Sequence, residues 1–147
     1  MRRTQACASR LTDNLNSAQR SHAMRQVKSK NTSLEMLVRS ELMRLGFGGY
    51  RLHRADLPGK PDIAWIGRKQ ALFINGCFWH GHDCPRGRRI PATRADYWQS
   101  KIARTRERDT ANNHSLRMQG WNTFTIWECE ISNWQSLEKR LVAFLRR

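Results

Sequence analysis

The chain is short of negative charge. Only 12 acidic residues stand against 27 lysines and arginines among 147 residues, leaving a formal charge of +15 and a pI near 11.1. Such an imbalance points to a polyanionic partner, with nucleic acid first, and the plainer alternative is a basic protein that charge keeps soluble. Long apolar runs are also missing. No stretch of about 18 apolar residues occurs, and the basic residues are spread along the chain rather than gathered on one amphipathic helix, so neither a spanning helix nor a membrane-surface helix is expected. No hydrophobic core follows Met1, Arg2 and Arg3, so a secretory leader is not expected and the protein should act inside the cell. Cysteine is sparse: Cys7, Cys77, Cys84 and Cys129. In a chain without signs of secretion these thiols favour metal binding over disulfides. Internal repeats are absent, and the length suits one domain with a real core.

Residues 1–22 are rich in Arg, Ser, Asn and Gln and hold few large apolar side chains, which predicts a flexible basic arm ahead of a single domain over 23–147. Cys7 falls in that arm. The run Met24-Arg25-Gln26-Val27-Lys28-Ser29-Lys30 adds two apolar residues to the basic pattern, spaced for one face of a short helical turn that could lie on DNA or on the core. Thr32-x-x-Glu35 is a capping-box pattern, and Leu34, Leu37, Val38, Leu42 and Leu45 follow at helical spacing up to Gly46. Strands are expected over 50–53, 63–66 and 71–74, the first two separated by the turn-forming Leu57-Pro58-Gly59-Lys60-Pro61. A helix over 93–119 carries Trp98, Ile102 and Thr105 on one side and Leu116 and Met118 near its end, with Asn112 and Asn113 as candidate breakers. A fourth strand over 121–127 and an amphipathic helix through Leu137, Leu141, Val142 and Leu145 complete the order helix, sheet, helix, strand, helix. That order predicts an α/β fold with a mixed central sheet flanked by helices.

The densest chemistry lies in Asn75-Gly-Cys-Phe-Trp-His-Gly-His-Asp-Cys84. Cys77, His82 and Cys84 can converge there, and Cys129, just past the fourth strand, could complete a closed tetrahedral zinc site of three thiolates and one imidazole. The competing reading is reduced core cysteines beside a solvent-facing histidine. Asp62, between the Pro61 turn and the apolar run Ile63–Ile66, puts a hard oxygen ligand at a strand start, where magnesium can be held beside a phosphodiester; most such aspartates are simple turn or cap residues. His80 can take a proton from water near neutral pH if a carboxylate orients its other nitrogen, and Asp109 is the candidate, unless it is one more charge on a solvated helix face. Glu35 is divided between capping and metal chemistry. Phe78 and Trp79, in a glycine-flanked loop, and Trp98, close after Arg94, interleave aromatics with positive charge as a DNA-unstacking wedge would; each alone is more often core.

Taken together, these residues resemble the very-short-patch-repair (Vsr) mismatch endonucleases, a branch of the restriction-endonuclease-like fold. The resemblance runs from about Met24 through the last helix and rests on Leu57-Pro-Gly-Lys-Pro-Asp62, Gly76-Cys-Phe-Trp-His-Gly-His-Asp-Cys84, Pro91-Ala-Thr-Arg94 with Tyr97-Trp98, Glu107-Arg-Asp109 and Trp127-Glu-Cys129. It implies that Asp62 binds catalytic Mg2+, with the main-chain carbonyl of Ile74 and, through water, Glu35. It further implies His80 as the base oriented by Asp109, Cys77, His82, Cys84 and Cys129 as ligands of structural Zn2+, and Phe78, Trp79 and Trp98 as the wedge beside a T·G mismatch. Met24, Arg25, Val27, Lys28 and Lys30 would grip the DNA from the other groove. The implied reaction is a nick 5′ to the mismatched thymine, opening repair of deaminated 5-methylcytosine by a monomer in the bacterial cytoplasm, with mismatch-repair proteins as further partners. One position departs: the family usually has a second histidine where this chain has Asn75, which can donate a hydrogen bond but carries no proton, implying slower or less pH-dependent cleavage. Two other readings stay open, a non-catalytic zinc-dependent DNA-binding module and a restriction-type nuclease cutting both strands of paired DNA.

Overall fold

The computed structural model describes residues 32–147. The expected arm, Cys7 and the Met24–Lys30 segment lie outside them. Helix α1 spans Ser33–Arg44 and starts where Thr32 accepts the Glu35 backbone N–H on its hydroxyl, as the capping pattern requires. Strands β1 (Arg51–Leu52), β2 (Ile63–Trp65) and β3 (Gln70–Asn75) follow, then helix α2 (Ala95–Met118), strand β4 (Asn122–Trp127) and helix α3 (Trp134–Leu145). The strands form one mixed sheet in the order β1-β2-β3-β4, antiparallel at the first two junctions and parallel between β3 and β4. A parallel pair needs a long crossover, and the loop after β3 together with α2 provides it.

Alternation along the strands sorts the core into two layers. Ile63, Trp65, Leu72 and Ile126 pack with Val38 and Leu42 of α1 and Leu137, Leu141, Phe144 and Leu145 of α3. Their neighbours Ala64 and Ala71 instead meet Leu116 of α2 and Trp121. Because successive side chains point to opposite faces, α1 and α3 cover one face and α2 the other, giving a helix–sheet–helix sandwich. Small residues on the α2 side let that long helix approach closely.

Several expectations shift in detail. Leu37 and Met118 are exposed, although both fall in step with apolar neighbours. Asn112 and Asn113 do not break α2, which runs unbroken to Met118. Their modest helix cost, about half a kcal/mol each, is small beside the burial of Ile102 and Leu116 at either side. Asp62 does stand at a strand start, and β2 lies between β1 and β3, so that strand is an inner one.

Candidate active site and metal centres

Asp62 is fixed by the hairpin around it. Its Oδ2 accepts the Ile74 backbone N–H at 2.7 Å, and its main-chain carbonyl accepts the N–H of His53 at 3.1 Å. Burial pushes the Asp62 carboxyl above its ordinary value, with the Glu35 charge acting the same way and the Ile74 amide opposing it. Glu35 is 2% exposed, and its Oε1 lies 2.9 Å from Nε2 of His53. One ligand atom from each of Glu35, His53 and Asp62 can be chosen so that all three lie within 4.8 Å of one another. The structure thus places Glu35 with Asp62. It also adds His53, which the sequence reading treated only as the end of a strand.

The loop after β3 carries the second group. Gly81 has φ +60°, and a Cβ there would stand 2.5 Å from Ile102 Cγ2 and 2.9 Å from Arg106 Cδ. Only glycine lets this loop lie so close to α2. His80, the preceding residue, is thereby set against the helix, where its Nδ1 meets Asp109 Oδ2 at 2.6 Å. Asp109 is therefore engaged by the imidazole, in contrast to a purely solvated member of a charged helix face. The pair lines a cleft of about 340 Å³ with Asn75, Asn113, Thr125 and Trp127. Asn75 and His80 share this cleft, and Asn113 and Trp127 join them unforeseen.

On the other side of Gly81, His82 turns toward the cysteines. Atoms of Cys77, His82, Cys84 and Cys129 all lie within 4.8 Å of one another, with Cys129 Sγ 3.4 Å from His82 Nδ1. Tetrahedral ligands around zinc are about 3.3–3.8 Å apart, so four converging soft and borderline donors fit that ion. Backbone N–H groups support the sulfurs: Gly87 donates to Cys84 Sγ at 3.3 Å and Cys129 to Cys77 Sγ at 3.4 Å. The Gly87 amide brings the Cys84 thiol down to about 6, while burial pushes Cys77 up to about 12 and also raises Cys129. The His82 ring stacks on Trp127 at 4.2 Å and 15°. Packing thus orients the imidazole of the cluster.

Phe78, Trp79 and Trp98 form one half-buried aromatic cluster, with ring centroids 5.1–5.9 Å apart. The adjacent pair Phe78 and Trp79 solves its exposure problem by packing edge to face and against the start of α2. Tyr97, 45% exposed, extends the cluster at 5.2 Å from Trp98. Lys101 holds its ammonium 5.4–5.8 Å from the rings of Trp79, Tyr97 and Trp98, and the Arg94 guanidinium sits 4.7 Å over Tyr97. Lys101 follows Trp98 by one helical step, a spacing that could have announced it.

The chain is similar in sequence to known proteins. The family described as "DNA mismatch endonuclease Vsr" matches residues 12–86, half of the chain. A type II nicking enzyme, V.XorIIP, from Xanthomonas oryzae pv. oryzae is 47% identical over 131 residues, covering 89% of this chain and 95% of its own. The type II nicking enzyme V.NmeAIP of Neisseria meningitidis serogroup A is 39% identical, covering 92% and 96%. The DNA mismatch endonuclease Vsr of Escherichia coli K12 is 35% identical, covering 82% and 76%.

Proposed function

The chain belongs to the Vsr family of DNA mismatch endonucleases, and from that premise we propose that it nicks one strand 5′ to the thymine of a T·G mismatch, opening repair of deaminated 5-methylcytosine. The observation that carries the chemistry is the 2.6 Å contact between His80 and Asp109 at a cleft within electrostatic range of Asp62. Asp109 holds a proton on Nδ1 and so leaves Nε2 of His80 to accept one from the attacking water. Asn75, beside it in the cleft, can donate a hydrogen bond to a phosphate oxygen. Asp62, the Ile74 main-chain carbonyl and, through water, Glu35 would hold Mg2+. That ion, when bound, supplies electrostatic stabilisation of the charge that builds on the phosphate. Cys77, His82, Cys84 and Cys129 would hold Zn2+ in a closed site whose role is to tie the loop after β3 to the turn after β4.

Phe78, Trp79 and Trp98 are the wedge that unstacks the mismatch, with Arg94 and the basic segment carrying Met24, Arg25, Val27, Lys28 and Lys30 on the phosphates. The names of the relatives, nicking enzymes, support cleavage of one strand over a restriction-type double cut. We place the enzyme as a monomer inside a bacterial cell, acting ahead of repair proteins.

Duplexes with T·G or T·A at one position, incubated with Mg2+ and mapped for strand and site of cleavage, test this reading. A single nick 5′ to the mismatched T, lost in Asp62→Ala, is expected. Equal cutting of the paired duplex, or of both strands, overturns it.

A further inference from the structure

We infer that the catalytic cation site is completed by His53, whose Nε2 is an inner ligand beside the Asp62 and Glu35 carboxylates, Glu35 then binding directly where the family resemblance implies a water between, so that the site takes Mn2+ in preference to Mg2+. The inference rests on the proposal above that Asp62 anchors a divalent ion. Three observations carry it. The three side chains come from separate elements, α1, the end of β1 and the start of β2, yet present ligand atoms within 4.8 Å of one another. His53 Nε2 and Glu35 Oε1 are 2.9 Å apart, yet the imidazole nitrogen, shielded from solvent, makes no directed hydrogen bond. Neighbouring ligands of an octahedral ion with bonds of about 2.0–2.1 Å stand about 2.9 Å apart, side by side and facing a common point. Finally, His53 holds φ at +49°, a left-handed backbone that side chains other than glycine seldom adopt, while its own N–H is bonded to the Asp62 carbonyl. Backbone strain of this kind collects where a side chain must be aimed.

The chemical consequence follows from ligand type. Magnesium is satisfied by oxygen and keeps several waters, whereas an imidazole nitrogen adds affinity for first-row transition ions. A site of two carboxylates and one imidazole should therefore rank Mn2+ above Mg2+.

The test uses the full-length, zinc-loaded protein with Mn2+ as probe, read by electron spin resonance. Free Mn2+ is counted during titration, and electron spin echo modulation reports nitrogen bonded to the ion. Protein made with 15N-histidine should change the modulation from the 14N to the 15N pattern, and His53→Gln should abolish it. His53→Gln should also shrink the Mn2+ over Mg2+ preference, measured by competition, by on the order of tenfold or more, the range that even the orienting neighbours of metal ligands command. Bound Mn2+ without histidine nitrogen coupling in the unaltered protein, or coupling that persists in His53→Gln, overturns the inference. Asp62→Asn separates the two levels. If it loses Mn2+ while the unaltered protein shows no nitrogen coupling, the cation site stands and only the role of His53 falls. If it binds Mn2+ undiminished, both fall.

Discussion

His80 Nδ1 and Asp109 Oδ2 stand 2.6 Å apart although 29 positions separate them in sequence, one on the loop after β3 and the other midway along α2. The contact fixes which ring nitrogen faces the cleft. His80→Ala should lower the single-turnover nicking rate by on the order of a hundredfold or more, the usual contribution of a positioned base. Asp109→Asn should lower it by a comparable factor, because a neutral amide does not hold the imidazole in one tautomer. The two losses should not add: the double variant should be no slower than His80→Ala alone, since both remove the same proton transfer. Additive losses would show that Asp109 acts independently of His80.

The sequence announced this site unevenly, and the reasons are physical. Local rules located α1, because a cap and a hydrophobic period are read within one segment; the Thr32 hydroxyl and buried Val38 and Leu42 bear them out. The cysteine cluster was visible because three of its four members are close in sequence and thiols are rare in the chain. His53 was not visible. Its place beside Asp62 is set by the pairing of Leu52 with Ile63, a register that no local pattern states. Leu37 and Met118 were misread for the opposite reason, since helical spacing reports a face but not how far the neighbouring sheet extends to cover it. Asn113 gains its meaning only once α2 is laid against the loop after β3.

Removing one thiol should expose the structural weight of the cysteine cluster. Cys77 is pushed up to about 12 by burial, so its thiolate is costly without a cation beside it, and binding of the proposed zinc ion would in effect be folding free energy. Cys129→Ser should lower zinc content, from one per chain, and stability together. A loss of a few kcal/mol corresponds to a fall in Tm of about 10 °C for a chain of this size. Metal analysis and calorimetry on the same preparation check both. Unaltered Tm in zinc-free protein is the contrary result.

Asp62 should show function purchased against stability. Burial holds its folded pKa above the unfolded value of about 3.9, so the native state binds this proton more tightly than the unfolded chain does. The group's contribution is then fully favourable below about pH 3.9 and is lost as pH rises through the folded pKa. At neutral pH and without divalent cation, the ionised carboxylate is a liability. Asp62→Asn, whose amide oxygen can still accept the Ile74 N–H, should therefore raise the Tm of cation-free protein at pH 7. That gain should shrink on acidification as the parent takes up its proton. Adding Mg2+ should raise the Tm of the parent and not of the variant, while nicking by the variant is abolished. A variant less stable than its parent at pH 7 would mean that the carboxylate is satisfied without a cation.

In the proposed function the aromatic cluster would serve recognition, apart from the chemistry. Trp79 packs edge to face on Phe78 and Trp98 at 5.1 and 5.9 Å, and Lys101 sits 5.6 Å from its ring, so a rigid half-buried blade carries a positive charge. A wedge gains selectivity because unstacking costs less at a mismatch than at a paired step, a difference of a few kcal/mol at most. Trp79→Ala removes the blade but leaves the phosphate contacts, which supply most of the sequence-independent affinity. Affinity for paired DNA should thus change little, while the preference for T·G over T·A duplex, measured without divalent cation, should fall by about tenfold, roughly 1.4 kcal/mol. Lys101→Met keeps an apolar stem over the rings but deletes the charge, so it should spare the preference and reduce the salt dependence of binding by about one counterion. If Trp79→Ala weakened both duplexes equally, the cluster would be a packing element supporting the DNA surface, and discrimination would have to reside elsewhere on the protein.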